Sequence, residues 1–102
     1  AYGVLSRGLL SGHWSKERAL APGDFRSFSP RFQRENLERN LALVETLRSI
    51  AQRKGCTAAA LAIAWVAHQG EQVVPLVGAR RPERLREALG ARELKLSPAE
   101  LQ

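Results

Sequence analysis

Leu37, Leu41, Val44, Leu47 and Ala51 recur at three- or four-residue intervals, with Arg, Glu and Gln between them. That spacing lays one apolar stripe along a helix and predicts an amphipathic helix from about Glu35, closed by Gly55. Thr57 supplies a hydroxyl to cap a second helix, Ala58 to Gln69, which Gly70 ends. This helix differs from the first, being apolar on nearly every side from Ala58 to Ala67. It is expected to lie packed between neighbours, with Trp65 in the core. Val73-Val74-Pro75-Leu76-Val77 follows as a continuous apolar run, of the kind buried in parallel sheets. Pro75 has no ladder donor and belongs at a strand end or an irregularity.

The remaining segments are shorter. Residues 1–6 predict a strand running into a turn, with Gly8 and Gly12 allowing close backbone approach. From Trp14 to Pro30 no period is sustained, which predicts a long loop with at most a short helical turn. Loops of that length in a compact domain are functional or disordered. Pro82 opens a helix at its first position and Gly90 closes it. Ser97-Pro98-Ala99-Glu100 has the form of a capping box for a last helix. Two strands connected through helices predict a parallel α/β arrangement. Two strands cannot close a barrel or shield both faces of a sheet, so the chain reads as a segment cut at both ends.

Composition narrows the function classes. The 102 residues suffice for one small domain, and 44% hydrophobic content is ordinary for a globular protein. No apolar run approaches the roughly 20 residues of a membrane span, so no membrane partner is expected. Cys56 is the only cysteine, which excludes an intramolecular disulfide and leaves no cysteine-based metal site. With no secretory signal pattern at its start, the chain is expected to be cytoplasmic. The net charge is +6, mostly from arginine. Basic residues alternate with Glu along helix faces, without aromatic interleaving or a recognition helix, so nucleic acid is not the expected partner.

One basic cluster is tight. After the apolar run, Gly78 turns the backbone and Arg80, Arg81 and Arg84 crowd the first turn of the Pro82 helix. Free N–H groups and the helix dipole favour an anion there, and guanidinium forks suit a phosphate. Ligands of parallel α/β folds collect at such strand ends. A solvated arginine face is the competing reading. The first turn repeats the theme, with Tyr2 offering a ring face and Gly3, Leu5 and Arg7 offering N–H groups and a guanidinium. His13 and Trp14 read as surface packing or the edge of a substrate pocket. His68 reads as a structural residue near a helix end, and Cys56 as a small buried apolar residue.

Taken together and in order, these segments resemble the aldo-keto reductase family. Tyr2-Gly3-Val4-Leu5-Ser6-Arg7-Gly8-Leu9-Leu10-Ser11-Gly12 is similar to the family's segment around its seventh strand. Pro30-Arg31-Phe32, Glu35-Asn36 and Asn40-Leu41 resemble its next signature, and Gly55-Cys56-Thr57 with Ala64-Trp65-Val66 resembles the helix before the eighth strand. Val74 to Leu85 resembles the cofactor loop, and Leu96-Ser97-Pro98-Ala99-Glu100-Leu101 the segment beyond it. The likeness runs over residues 1–102 in one register. It implies the C-terminal part of a (β/α)8 TIM barrel, incomplete as a barrel on its own, within an NADP-dependent oxidoreductase domain.

The resemblance also implies roles. Tyr2 would stack on the nicotinamide of NADPH, and Gly3, Leu5 and Arg7, with Gly78 at the second turn, would serve the phosphates. Arg80 and Arg84 would contact the 2′-phosphate, and Glu87 would sit beside the adenine. Ala79 and Ala88 stand where the family commonly has a hydroxyl and an amide, a loss of roughly 1–3 kcal/mol of cofactor binding. The family's catalytic Asp, Tyr, Lys and His belong to earlier strands, so this chain is expected to reduce no carbonyl substrate by itself. A non-catalytic remnant acting through self- or partner association is the second expectation, motivated by unpaired strand edges.

Overall fold

The computed structural model describes all of residues 1–102. Four α-helices carry it: α1 (Arg34–Lys54), α2 (Ala58–Ala67), α3 (Pro82–Gly90) and α4 (Pro98–Leu101). Short 3₁₀ turns occupy Ser6–Ser11, Phe25–Phe28, Pro30–Phe32 and Ala91–Glu93. The helix boundaries follow from local chemistry. Gly55 takes the left-handed conformation, φ 67°, that ends α1, and the Cys56 N–H returns to the Ala51 carbonyl at 3.0 Å. Thr57 Oγ1 accepts the Ala60 N–H at 3.1 Å and opens α2. Pro82 occupies the first turn of α3, as its sequence position requires.

The apolar stripe of α1 faces inward, with Leu41, Val44 and Ala51 buried and Leu37 and Leu47 half-buried. In α2 every residue from Ala58 to Ala64 is buried. Two small cores result. Ala60, Ile63 and Ala64 of α2 meet Val4 and Ala91 in the first. Leu41 and Val44 of α1 meet Leu9, Trp14 and Phe32 in the second.

Three expectations are corrected. Residues 1–6 and 73–77 form no regular strand. A single parallel-type pairing joins them: the Ala1 amino group donates to the Val74 carbonyl at 2.5 Å, and the Leu76 N–H donates to the Ala1 carbonyl at 2.8 Å. Gly3, at φ 77°, then turns the backbone away, so the ladder stops after one residue. Pro75 sits between the two bonded groups of its segment, where its missing N–H costs this pairing nothing. Trp65, expected in the core, is 43% exposed, its indole N–H donating to the Leu101 carbonyl at 3.1 Å. Trp14, read as surface packing or a pocket edge, is 2% exposed and packs tilted at 43° against Phe32 with ring centroids 4.5 Å apart.

Only 15 of the 102 residues are buried, and the radius of gyration of 14.0 Å exceeds the about 13 Å of a compact domain this long. The openness has a location. Val74, Leu76, Leu85 and Leu89 are exposed around an apolar groove of about 470 Å³ between the 73–77 segment and α3. Such a face marks a surface made to be covered.

The C-terminal cap is built on charge. Glu100 accepts the Ser97 N–H at 2.8 Å and hydroxyl at 2.9 Å, and both its oxygens take the Lys54 ammonium at 3.0 Å. The Ser97 N–H first, then Lys54, hold its carboxyl at about 2 rather than 4.5. A folded-state value below the unfolded one stabilises above the unfolded value and is lost as acid protonates the group. Between pH 4.5 and about 2, α4 is therefore expected to release from α1. Trp65 reports this through its bond to Leu101, so its emission should shift to the red over that window. Emission that stays flat across it would contradict the docking.

Candidate functional site

The chain turns sharply between the two cores. Ser6, Arg7 and Gly8 have φ of 51°, 59° and 95°, a left-handed run that costs about 1–3 kcal/mol for each non-glycine residue. The turn thrusts the Arg7 guanidinium outward, where it lies 5.1 Å over the Phe25 ring. The N–H groups of Gly3 and Leu5 have no acceptor within the chain. Beside them runs a cleft of about 460 Å³, which Tyr2, Gly3, Leu5, Arg7 and Gly78 help to line. Tyr2 stands at its mouth, 90% exposed, with its ring face free for a flat group.

A second cleft, of about 900 Å³, adjoins the first and shares Leu5, Arg7, Gly8 and Gly78 with it. Five arginines line it, Arg7, Arg18, Arg26, Arg80 and Arg84, together with His13 and no carboxylate. A groove lined by charge of one sign concentrates field and attracts anions. Arg84 Nη1 bonds Glu87 Oε2 at 3.1 Å, and these two line a third recess with His13, Cys56 and Thr57.

The residues singled out from sequence thus fall along one continuous course. Tyr2 and Gly3 lie at one end, Leu5, Arg7 and Gly78 at the junction, Arg80 and Arg84 in the cationic part, and Glu87 beyond. Arg80 and Arg84 are exposed and line the cationic groove, whereas Arg81 and Arg86 line none of these clefts. His13 is exposed on the cationic groove rather than packed. His68 Nδ1 lies 2.7 Å from the Ala64 carbonyl, a local contact at the end of α2. Cys56 is half-buried, and burial pushes its thiol up, away from the nucleophilic thiolate.

Sequence reading missed the far wall of the groove. Arg18 and Arg26 come from the long loop and flank the Trp14 ring at 4.6 and 5.1 Å. Asp24 caps the Phe25–Phe28 turn by accepting the Arg26 N–H at 3.0 Å. It also grips the Arg26 guanidinium, Nε to Oδ1 at 2.9 Å and Nη2 to Oδ2 at 2.5 Å. That grip holds the Asp24 carboxyl down at about 2. The only sequence signal was Pro22-Gly23-Asp24, a turn-and-cap string inside an aperiodic stretch. The loop is also tied to α1, with Arg48 reaching the carbonyls of Gly12 at 2.6 Å and Trp14 at 3.3 Å. Asn36 and Asn40 donate to the carbonyls of Pro30 at 3.1 Å and Arg31 at 3.0 Å.

Comparison with known proteins agrees with this architecture. The model of the aldo/keto reductase family matches residues 1–102. An aldo-keto reductase of Schizosaccharomyces pombe, named for NADP(+), is 39% identical over 98 residues, covering 96% of this chain and 29% of the relative. The structure of a glycerol dehydrogenase from Gluconobacter oxydans superimposes with a TM-score of 0.89 at 34% identity, covering 96% of this chain and 30% of that one. The chain spans under a third of the length of either relative. The match along every residue, together with the close structural agreement, establishes that this chain belongs to the aldo/keto reductase family.

Proposed function

We propose that residues 1–102 form the cofactor-binding C-terminal part of a (β/α)8 barrel that reduces carbonyl substrates with NADPH. One observation carries the reading: the clefts join into a single course that begins at an exposed aromatic ring and ends among arginines. A dinucleotide is an extended molecule with a flat ring at one end, a pyrophosphate in the middle and a phosphorylated ribose beyond. Tyr2 meets the first, the Gly3, Leu5 and Arg7 turn with Gly78 the second, and Arg80 and Arg84 the third. Glu87 is left beside the adenine. The donor set fits, because the groove presents guanidiniums and free N–H groups without a carboxylate. When bound, the nicotinamide supplies hydride, while the residues of this chain bind and orient.

The Schizosaccharomyces pombe relative is named for NADP(+), which supports the choice of the phosphorylated cofactor. No helix is long and apolar enough to cross a membrane. The exposed apolar groove beside 73–77 supports the barrel, whose remaining elements would cover it. Cover by a second copy of this chain is the competing reading, favoured by the same exposed Val74 and Leu76. A sedimentation series that shows only monomer removes it.

Titration of the chain with NADPH and NADH tests the cofactor. NADPH should bind more tightly, and its affinity should fall with salt as arginine contacts are screened. Equal affinity for the two, or no binding, would contradict the reading. No carbonyl turnover is expected of the chain alone.

A further inference from the structure

The strained Ser6–Gly8 turn does not hold itself. Arg31 Nη1 donates to Ser6 Oγ at 2.7 Å. Arg26 Nη1 reaches the Arg7 carbonyl at 3.5 Å, and it would stand 3.7 Å from a Cβ placed on Gly8. Asp24 occupies the other edge of the same guanidinium, and the Trp14 ring lies 5.1 Å beneath it. Arg26 is therefore fixed on three sides before any ligand arrives. Its side chain is 22% exposed and that of Asp24 is 14% exposed, so little of the pair is left to solvent.

We propose that Asp24 and Arg26 are positioning residues, a clamp on the long loop that holds the Arg7 turn in the conformation that grips the middle phosphates. The proposal rests on the cofactor reading above and assigns a task to a loop that reading leaves idle. Residues in left-handed conformations persist where surrounding contacts over-determine them, and they cluster at ligand clamps. The Asp24 carboxyl stays ionised down to about pH 2, so the clamp is set at every pH where a phosphate ester carries its charge.

Positioning and direct contact make opposite predictions for Asp24. A direct anion contact by Arg26 would strengthen if the carboxylate that neutralises it were removed. A clamp would loosen. The experiment is calorimetric titration of the chain, Asp24→Asn, Arg26→Ala and Arg26→Lys with inorganic pyrophosphate and, separately, with adenosine 2′-monophosphate. The second probe addresses the Arg80 and Arg84 end. Asp24→Asn and Arg26→Ala should each weaken pyrophosphate about tenfold and leave adenosine 2′-monophosphate within about twofold. Arg26→Lys should remain weak, because an ammonium cannot make the parallel bonds of the guanidinium.

Tighter pyrophosphate binding by Asp24→Asn would overturn the proposal in favour of direct contact. Full recovery by Arg26→Lys would overturn it in favour of charge alone. Equal loss of both probes would reduce the pair to a general structural role and overturn it as well. Failure of the unsubstituted chain to bind either probe would instead sink the cofactor reading, and that result is distinguishable because it does not depend on any substitution.

Discussion

Trp14→Ala is expected to destabilise the chain by about 3–5 kcal/mol, the largest stability effect of any single substitution here. Domains of this size are held by about 5–15 kcal/mol in total, so the loss approaches the whole margin. The reason is local. Trp14 belongs to the second core with Phe32, whose ring packs tilted against it, and with Leu9, Leu41 and Val44, and the guanidiniums of Arg18 and Arg26 lie over its ring. Its indole N–H is buried without an acceptor, so nothing is lost when that group goes. Trp14→Phe, which keeps an aromatic ring in the core and gives up only part of the indole volume, should cost less than Trp14→Ala.

The two cores share no buried residue, which gives the damage a predicted extent. Hydrogen exchange should show residues 9–33 opening in Trp14→Ala while the amides of α2 keep their protection. Urea melts read by circular dichroism would give the size of the loss. A change below about 1 kcal/mol would contradict the second core as described.

Sequence made some of this legible and hid the rest, for physical reasons. Helix α1 could be read because its stripe repeats over many turns and Gly55 ends it. Helix α3 could be read from Pro82 and the arginines around it. The strands could not be confirmed, because a strand is a property of pairs. Val73 to Val77 has the composition of a buried strand, but its parallel pairing is with Ala1 alone. Trp65 misled because helix α2 is apolar all round, so its sequence does not say which side faces solvent. Trp14 misled for the opposite reason, lying in an aperiodic loop where no pattern marks burial.

The candidate site was legible where backbone chemistry announces itself. Gly3, Gly78 and the arginines at 80 and 84 stand at turns, and turns leave a sequence signature. Arg26 left none, since its role depends on Asp24, Trp14 and the Arg7 carbonyl meeting in space. The resemblance to the aldo-keto reductases supplied the order of the parts, which spacing within 102 residues could not. On the proposed cofactor reading, Ala79 and Ala88, where the family commonly has polar groups, would leave Arg80 and Arg84 with a larger share of the recognition.

That share can be measured. Arg80 and Arg84 both line the cationic groove and are exposed, so each charge-assisted contact to a 2′-phosphate is discounted to about 1–1.5 kcal/mol. Replacing both by Ala should weaken NADPH by about 30- to 150-fold and leave NADH, which lacks that phosphate, almost unchanged. Paired titrations of NADPH and NADH against the chain and its Arg80→Ala, Arg84→Ala double variant decide whether these arginines read the 2′-phosphate. The preference for NADPH should disappear in the variant while NADH binding persists. A parallel loss of both cofactors, or an NADPH affinity that survives the double substitution, would contradict it.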